Sequence, residues 1–101
     1  MPKGYVIITE AIHDDAGMAA YGRASMPSIG EHGARVLAAE EHVEVLEGQW
    51  HGTRTVVLEF ESVAAARRWY TSDTYQAALP LRQAASECNA VMLAGFELPR
   101  S

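Results

Sequence analysis

One cysteine in 101 residues, Cys88, excludes an internal disulfide and any multi-cysteine metal site. Beside an apolar segment it reads as a small buried hydrophobe. No apolar stretch approaches the roughly twenty residues of a membrane span. The opening Met-Pro-Lys-Gly, followed at once by a strand pattern, lacks the apolar run of a signal peptide, so the expected location is cytoplasmic. Basic residues are few: eight Lys and Arg against thirteen Asp and Glu give a net charge of -5, and Arg67-Arg68 is the one adjacent basic pair. Tracking a phosphate backbone requires clustered cations, so neither nucleic acid nor a membrane is an expected partner. His13, His32, His42 and His51 show neither i, i+4 spacing nor an HExxH motif. A Gly-x-Ser-x-Gly elbow and a glycine-rich phosphate loop are also missing. No metal and no cofactor are expected; a haem or metal protein is the minor alternative.

What is present is ordinary for a folded domain, with 49% apolar and 21% charged residues. One domain over residues 1–97 with a short polar tail at 98–101 accounts for the length. Three segments are apolar at consecutive positions: Tyr5-Val6-Ile7-Ile8, Thr55-Val56-Val57-Leu58 and Ala90-Val91-Met92-Leu93. Side chains alternate across a strand, so such runs mean that both faces are covered. A domain this small buries only about two thirds of the surface its unfolded chain exposes. Its helices suffice for one face, and a second copy of the same sheet is the expected cover for the other.

The first strand is expected from Gly4 to Ala11, and His13-Asp14-Asp15 offers carboxylates to start a helix. Met18, Tyr21, Ser25 and Ile29 form one face of that helix, which Gly17 and Gly22 weaken by about 1 kcal/mol each. Pro27 is expected to end or kink it, and Gly33 to supply the left-handed stop. A second strand over Arg35–Ala39 continues into an alternating extension through Val43 and Val45, and Gly48 turns the chain. The third strand covers Thr53–Phe60. Ser62 caps a helix with Ala65, Ala66, Trp69 and Tyr70 on one face; Ser72-Asp73 breaks it and starts a further piece with a kink at Pro80. The last strand is expected from Ala90 to Phe96. The order is β-α-β-β-α-β with the second helix in two parts, the α+β ferredoxin-like plan: an antiparallel four-stranded sheet with helices on one face. Two bare faces packed together would give a two-fold dimer with a barrel-like core.

The block Glu44-Val45-Leu46-Glu47-Gly48, then Trp50, Arg54, Val56-Val57, Glu59-Phe60-Glu61-Ser62, Trp69-Tyr70, Ser72, Tyr75-Gln76 and Leu81-Arg82, resembles domain of unknown function 1330 of the dimeric α/β-barrel superfamily. Tyr5, Tyr21 and Gly33-Ala34-Arg35 fit as well, whereas Glu40-Glu41 stands where that family usually has a glycine pair and Asp73 where it has proline. The resemblance implies the fold and the homodimer and says little of chemistry. The superfamily holds cofactor-independent monooxygenases, lactone isomerases, polyketide cyclases and haem-dependent enzymes, and fold does not choose among these.

In relatives of known activity a pocket opens between sheet and helices. Strand parity turns Val56, Leu58 and Phe60, and with them Arg54, toward the helices; Thr55, Val57 and Glu59 face the partner sheet. Arg54 could hold a carboxylate or enolate oxygen, or pair with Glu47 or another acid. Glu59 is either a buried general base or a paired carboxylate at the dimer interface, with Arg35, or Arg54 of the partner subunit, as mate. Tyr21, Trp69, Tyr70 and Tyr75 are helix-face aromatics that fill the core or offer a phenol to a ligand. Arg82 lies two turns beyond Tyr75 and grips the ligand with it or caps the helix end. His32 is the best placed histidine for proton transfer. The candidate catalytic residues are thus Arg54, Tyr21 and His32, with Trp69, Tyr75 and Arg82 binding the ligand. A cofactor-independent isomerase or cyclase acting on a small carbonyl or phenolic metabolite is the leading expectation. A cofactor-free monooxygenase and a non-catalytic, stress-related binding module are the alternatives.

Overall fold

A computed structural model describes residues 2–97, so the expected tail at 98–101 lies outside the described residues. The elements run β1 (Gly4–Ile12), α1 (Asp15–Glu31), β2 (Arg35–Glu40), β3 (Arg54–Phe60), α2 (Val63–Thr71), α3 (Asp73–Ala85) and β4 (Ser86–Ala94). The sheet is antiparallel throughout, with spatial order β2-β3-β1-β4. This is the ferredoxin-like arrangement, its two central strands being the first and third in sequence. No helix among the described residues is long and apolar enough to cross a membrane.

The helices cover the face that carries Val6, Ile8, Leu58 and Phe60, all of which are buried with Ala66, Trp69 and Tyr75 in one core. Aromatic rings form its centre: Trp69 lies 5.3 Å from Phe60 and 4.1 Å from Tyr75, centroid to centroid. The opposite face carries the other parity, Tyr5, Ile7, Val57, Val91 and Leu93, with Val91 56% and Leu93 43% exposed. Consecutive apolar residues on β1, β3 and β4 therefore do supply two greasy faces, and the chain covers one of them.

Capping follows the sequence. Asp14 accepts from the Gly17 amide, Ser62 from Ala65 and Ser72 from Tyr75, each satisfying a donor of a first helical turn. Gly33 has φ +63 and stops α1 as expected. Gly17 has a further use. A Cβ there would lie 2.9 Å from the Ala85 Cβ, so glycine lets α1 close on α3, and the His13 and Asp14 amides both donate to the Ala85 carbonyl.

Four expectations are corrected. Pro27 does not end α1, which runs on to Glu31. The Ser25 and Ser28 hydroxyls donate to the Gly22 and Ser25 carbonyls across this stretch, and the Trp69 indole donates to Ser28 Oγ at 3.0 Å, anchoring the turn in the core. Pro80 sits inside α3, within the single helical piece expected there. The strand extension through Val43 and Val45 is absent, because β3 begins only at Arg54 and leaves residues beyond Glu40 without a strand to pair with. Residues 41–53 instead form a long connection, tied down where Trp50 donates to Thr55 and His51 meets Thr9. Finally, β4 starts at Ser86, directly after α3, and Cys88 is half-buried rather than buried.

Removing the Ser28 hydroxyl would strand the buried Trp69 N–H. Ser28→Ala should therefore lower the unfolding free energy by about 1–3 kcal/mol in denaturant titration.

Candidate active site

Between α1 and the sheet lies a cavity of about 490 Å³. Its walls are mostly apolar, with Ile8, Val56 and Leu58 from the sheet, Met18 and Ile29 from α1, and Trp69 from α2. A β-bulge between Val36 and Ala38 shifts the register of β2, so Val36 and Ala39, three residues apart, both reach this wall. The polar side chains of the lining are Glu10 and Arg54 from the sheet and Tyr21, Arg23 and Ser25 from α1, of which Arg23 is exposed.

Glu10 and Arg54 are direct cross-strand partners of β1 and β3. Glu10 is 1% exposed, in the inward row that Val6 and Ile8 begin. Its Oε1 lies 3.8 Å from Arg54 Nε, an ion-pair separation beyond hydrogen-bond reach. Neither atom has a hydrogen-bond partner. The backbone around Glu10 is held tightly. Its carbonyl accepts from the Thr53 amide at 2.8 Å, and Gly52, with φ +79, packs so close that a Cβ would lie 2.4 Å from the Glu10 carbonyl oxygen. Only glycine fits there.

Tyr21 lines the cavity from α1, and its hydroxyl shares a 2.9 Å hydrogen bond with that of Tyr75 on α3. Tyr75 is fully buried behind the lining. Arg82 is also buried, with its Cζ 6.0 Å from the Tyr21 ring centroid, and its Nε and Nη1 have no hydrogen-bond partner. One carboxylate thus lies near two guanidinium groups.

Burial raises the pKa of Glu10, an effect that Arg54 and Arg82 oppose in part. Burial also raises Tyr21, with the Tyr75 hydrogen bond and Arg82 pulling the other way. Tyr75 is raised far further, by burial and by its neighbour Tyr21. Both phenols are therefore neutral at physiological pH, and each occupies the other.

Of the residues singled out in the sequence, Arg54, Tyr21 and Trp69 line the cavity, while Tyr75 and Arg82 stand behind its wall. His32 does not join them. It ends α1, where its amide donates to the Ser28 carbonyl, and it is not among the lining residues. Glu59 lies on the other face of the sheet, accepting from Tyr5 at 3.0 Å and from Arg35 of the same chain at 3.4 Å. Arg54 pairs with Glu10 rather than Glu47. Glu10 itself went unnoticed, although the parity that places Arg54 also places Glu10 two residues beyond Ile8 on the inward side. Among the described residues no three His, Cys, Asp or Glu side chains gather as a metal site would require.

Folded, Glu10 holds its proton more tightly than it does unfolded, where its ordinary value is 4.5. Between that value and the raised one, the folded chain binds more protons, so stability falls as pH climbs through this interval and levels off above it. Glu10→Gln removes the decline. Unfolding free energies measured across the interval should change in favour of the variant, relative to the parent, as pH rises.

Among solved structures, a protein of unknown function from Rhodopseudomonas palustris is similar at 24% identity, covering 96% of this chain and 85% of its own with a TM-score of 0.73. A dimeric ferredoxin-like protein of unknown function from Bacteroides fragilis aligns at 14% identity, 91% and 95% coverage and TM-score 0.60. SnoaB, a cofactor-independent oxygenase from Streptomyces nogalater, aligns at 9% identity over 97% of both chains with TM-score 0.65. No curated protein matches the chain. At these identities the structural likeness establishes the fold. The family is set by sequence: residues 3–96 match the profile of domain of unknown function 1330, and the chain belongs to that family.

Proposed function

We propose that this protein is a homodimeric, cofactor-independent enzyme that moves a proton on a small carbonyl- or phenol-bearing metabolite bound beneath α1. The observation that carries this reading is the cavity itself: apolar walls around a buried acid and guanidinium whose facing atoms have no hydrogen-bond partner. Buried polar groups are nearly always satisfied, by protein, by water or by a ligand, so this end of the cavity is where a ligand's polar group would be received. A ligand with an apolar body and one polar oxygen fits the demand. Arg54 would hold the oxygen as negative charge develops on it, which is where a fixed cation lowers a barrier. Isomerisation needs nothing more than such a proton shift. Cyclisation adds attack of the resulting enolate on a second carbonyl of the same substrate, whose π pair moves to its oxygen and takes up the proton. Cofactor-free oxygenation remains the alternative outcome, and SnoaB supports it by combining this fold with that activity.

The homodimer rests on the bare face of the sheet. Val91, Leu93, Ile7 and Val57 are neighbours on that face, with Val91 and Leu93 exposed, and a contiguous apolar patch marks an interaction surface. The similar Bacteroides fragilis protein is dimeric. Tyr5, Glu59 and Arg35 form a linked polar set on that face, so Glu59 and Arg35 would enter the interface already paired.

Two measurements test the reading. Sedimentation at micromolar concentration should give a dimer, and Val91→Asp, which puts a charge on the bare face, a monomer; a monomeric parent would refute the assembly. For the cavity, Gly22 lines the wall and a Cβ there would meet nothing within 4 Å. Gly22→Leu should raise helix stability by about 0.5–1 kcal/mol while filling the space. In a thermal-shift screen of small ketones, phenols and carboxylic acids, compounds that raise the parent's Tm should lose their effect on this variant. An equal effect on both would place the binding elsewhere.

A further inference from the structure

We propose that Glu10 is the proton-accepting group of this site, and that the substrate is an enolisable ketone with an apolar body whose carbonyl oxygen rests on Arg54. The inference builds on the cavity reading above and assigns the chemistry within it. Glu10 is the one carboxylate in the lining. Its Oε1 receives no hydrogen bond, so the lone pairs that a base needs are free. The other candidates are spent or remote: the Tyr21 and Tyr75 hydroxyls bond each other, and His32 lies outside the lining.

The surroundings suit a base that must cycle. Arg54 faces Glu10 from β3, Arg82 acts on it from α3, Tyr21 lies near it on α1, and Cys88 is its cross-strand neighbour on β4. Burial makes the carboxylate a stronger base than it is in water, and Arg54 and Arg82 act against that shift. The Thr53 amide and the close approach of Gly52 fix the strand beneath it. A base whose backbone cannot shift is preorganised for transfer.

The step balances without a co-reactant. The C–H bond next to the carbonyl breaks, and its proton forms an O–H bond on Glu10. The C–H electron pair becomes the C=C bond of an enolate, and the carbonyl π pair moves to oxygen beside the Arg54 guanidinium. Where the ketone carries a double bond between its β and γ carbons, the electron pair extends to the γ carbon. Return of the proton there moves the double bond into conjugation with the carbonyl and regenerates the carboxylate. In a simple ketone the proton returns to the α carbon, and the step is read as exchange. With Glu10 protonated, the two arginines match one enolate with an excess of positive charge. A phenolate therefore mimics the bound intermediate.

The experiment uses 4-nitrophenol as that mimic and deuterium uptake from D2O into acetophenone, cyclohexanone and 2-heptanone, followed by NMR. The full chain should bind 4-nitrophenol and accelerate exchange of at least one ketone. Glu10→Gln should still bind 4-nitrophenol but lose exchange by about 100-fold or more, and the pH dependence of exchange should vanish with it. Glu10→Asp retains the charge and withdraws the carboxyl by one methylene; it should exchange at an intermediate rate, which covers the case in which the glutamine variant does not fold. Parental exchange rates in both variants would overturn the role of Glu10 and leave the cavity reading standing. A parent that neither binds 4-nitrophenol nor exchanges any of the three ketones would overturn both.

Discussion

A carboxylate occupies the place in β1 where the inward apolar row should continue. Val6 and Ile8 pack under the helices, and the next inward position is Glu10. Burying a charge costs several kcal/mol unless something compensates it, so the neighbourhood is organised around that cost. Arg54 is set opposite by strand register, Arg82 reaches in from α3, and the Gly52 turn locks the backbone behind it. The compensation is incomplete, for Glu10 Oε1 and Arg54 Nε lie too far apart to share a hydrogen bond. A ligand's polar group could take up what the pair leaves open, which is the use the proposed function makes of it.

The rest of the fold supports this arrangement from both sides. Above, α1 is held by its capping Asp14, by the close approach of Gly17 to α3, and by the Trp69 bond to Ser28 that carries the helix past Pro27. The cavity roof is thereby fixed although the helix contains residues that weaken it. Below, the tight aromatic packing of Phe60, Trp69 and Tyr75 fills the adjoining core. The bulge in β2 then turns two apolar residues into the space that remains. The cavity is thus an opening left between packed parts, with its polar groups at one end.

Much of the architecture was legible because it rests on local rules. Ser62, Ser72 and Asp14 cap helices wherever they precede one, and Gly33 stops one, irrespective of the neighbours. Strand parity placed Arg54 on the helix side from β3 alone. The errors came where a local signal was outweighed by distant contacts. Pro27 remains inside α1 because side-chain bonds retain its turn. Val43 and Val45 alternate like a strand, yet no partner strand extends far enough to pair with them. Of the candidate site, Arg54, Tyr21 and Trp69 could be assigned to a face from local spacing, whereas the place of His32 relative to the cavity depends on where α1 ends against the sheet.

By itself the sequence determined which faces are apolar, where helices begin, the strand order and the family, since each depends on residues near in the chain or on a pattern spread along all of it. The three-dimensional structure alone decided that Glu10 and Arg54 meet. They are 44 positions apart, and a pairing at that separation is fixed by the register of β1 on β3, which the turn at Gly52 and the core packing set together. It also decided the 3.8 Å between Oε1 and Nε, a matter of packing geometry that no composition or spacing encodes.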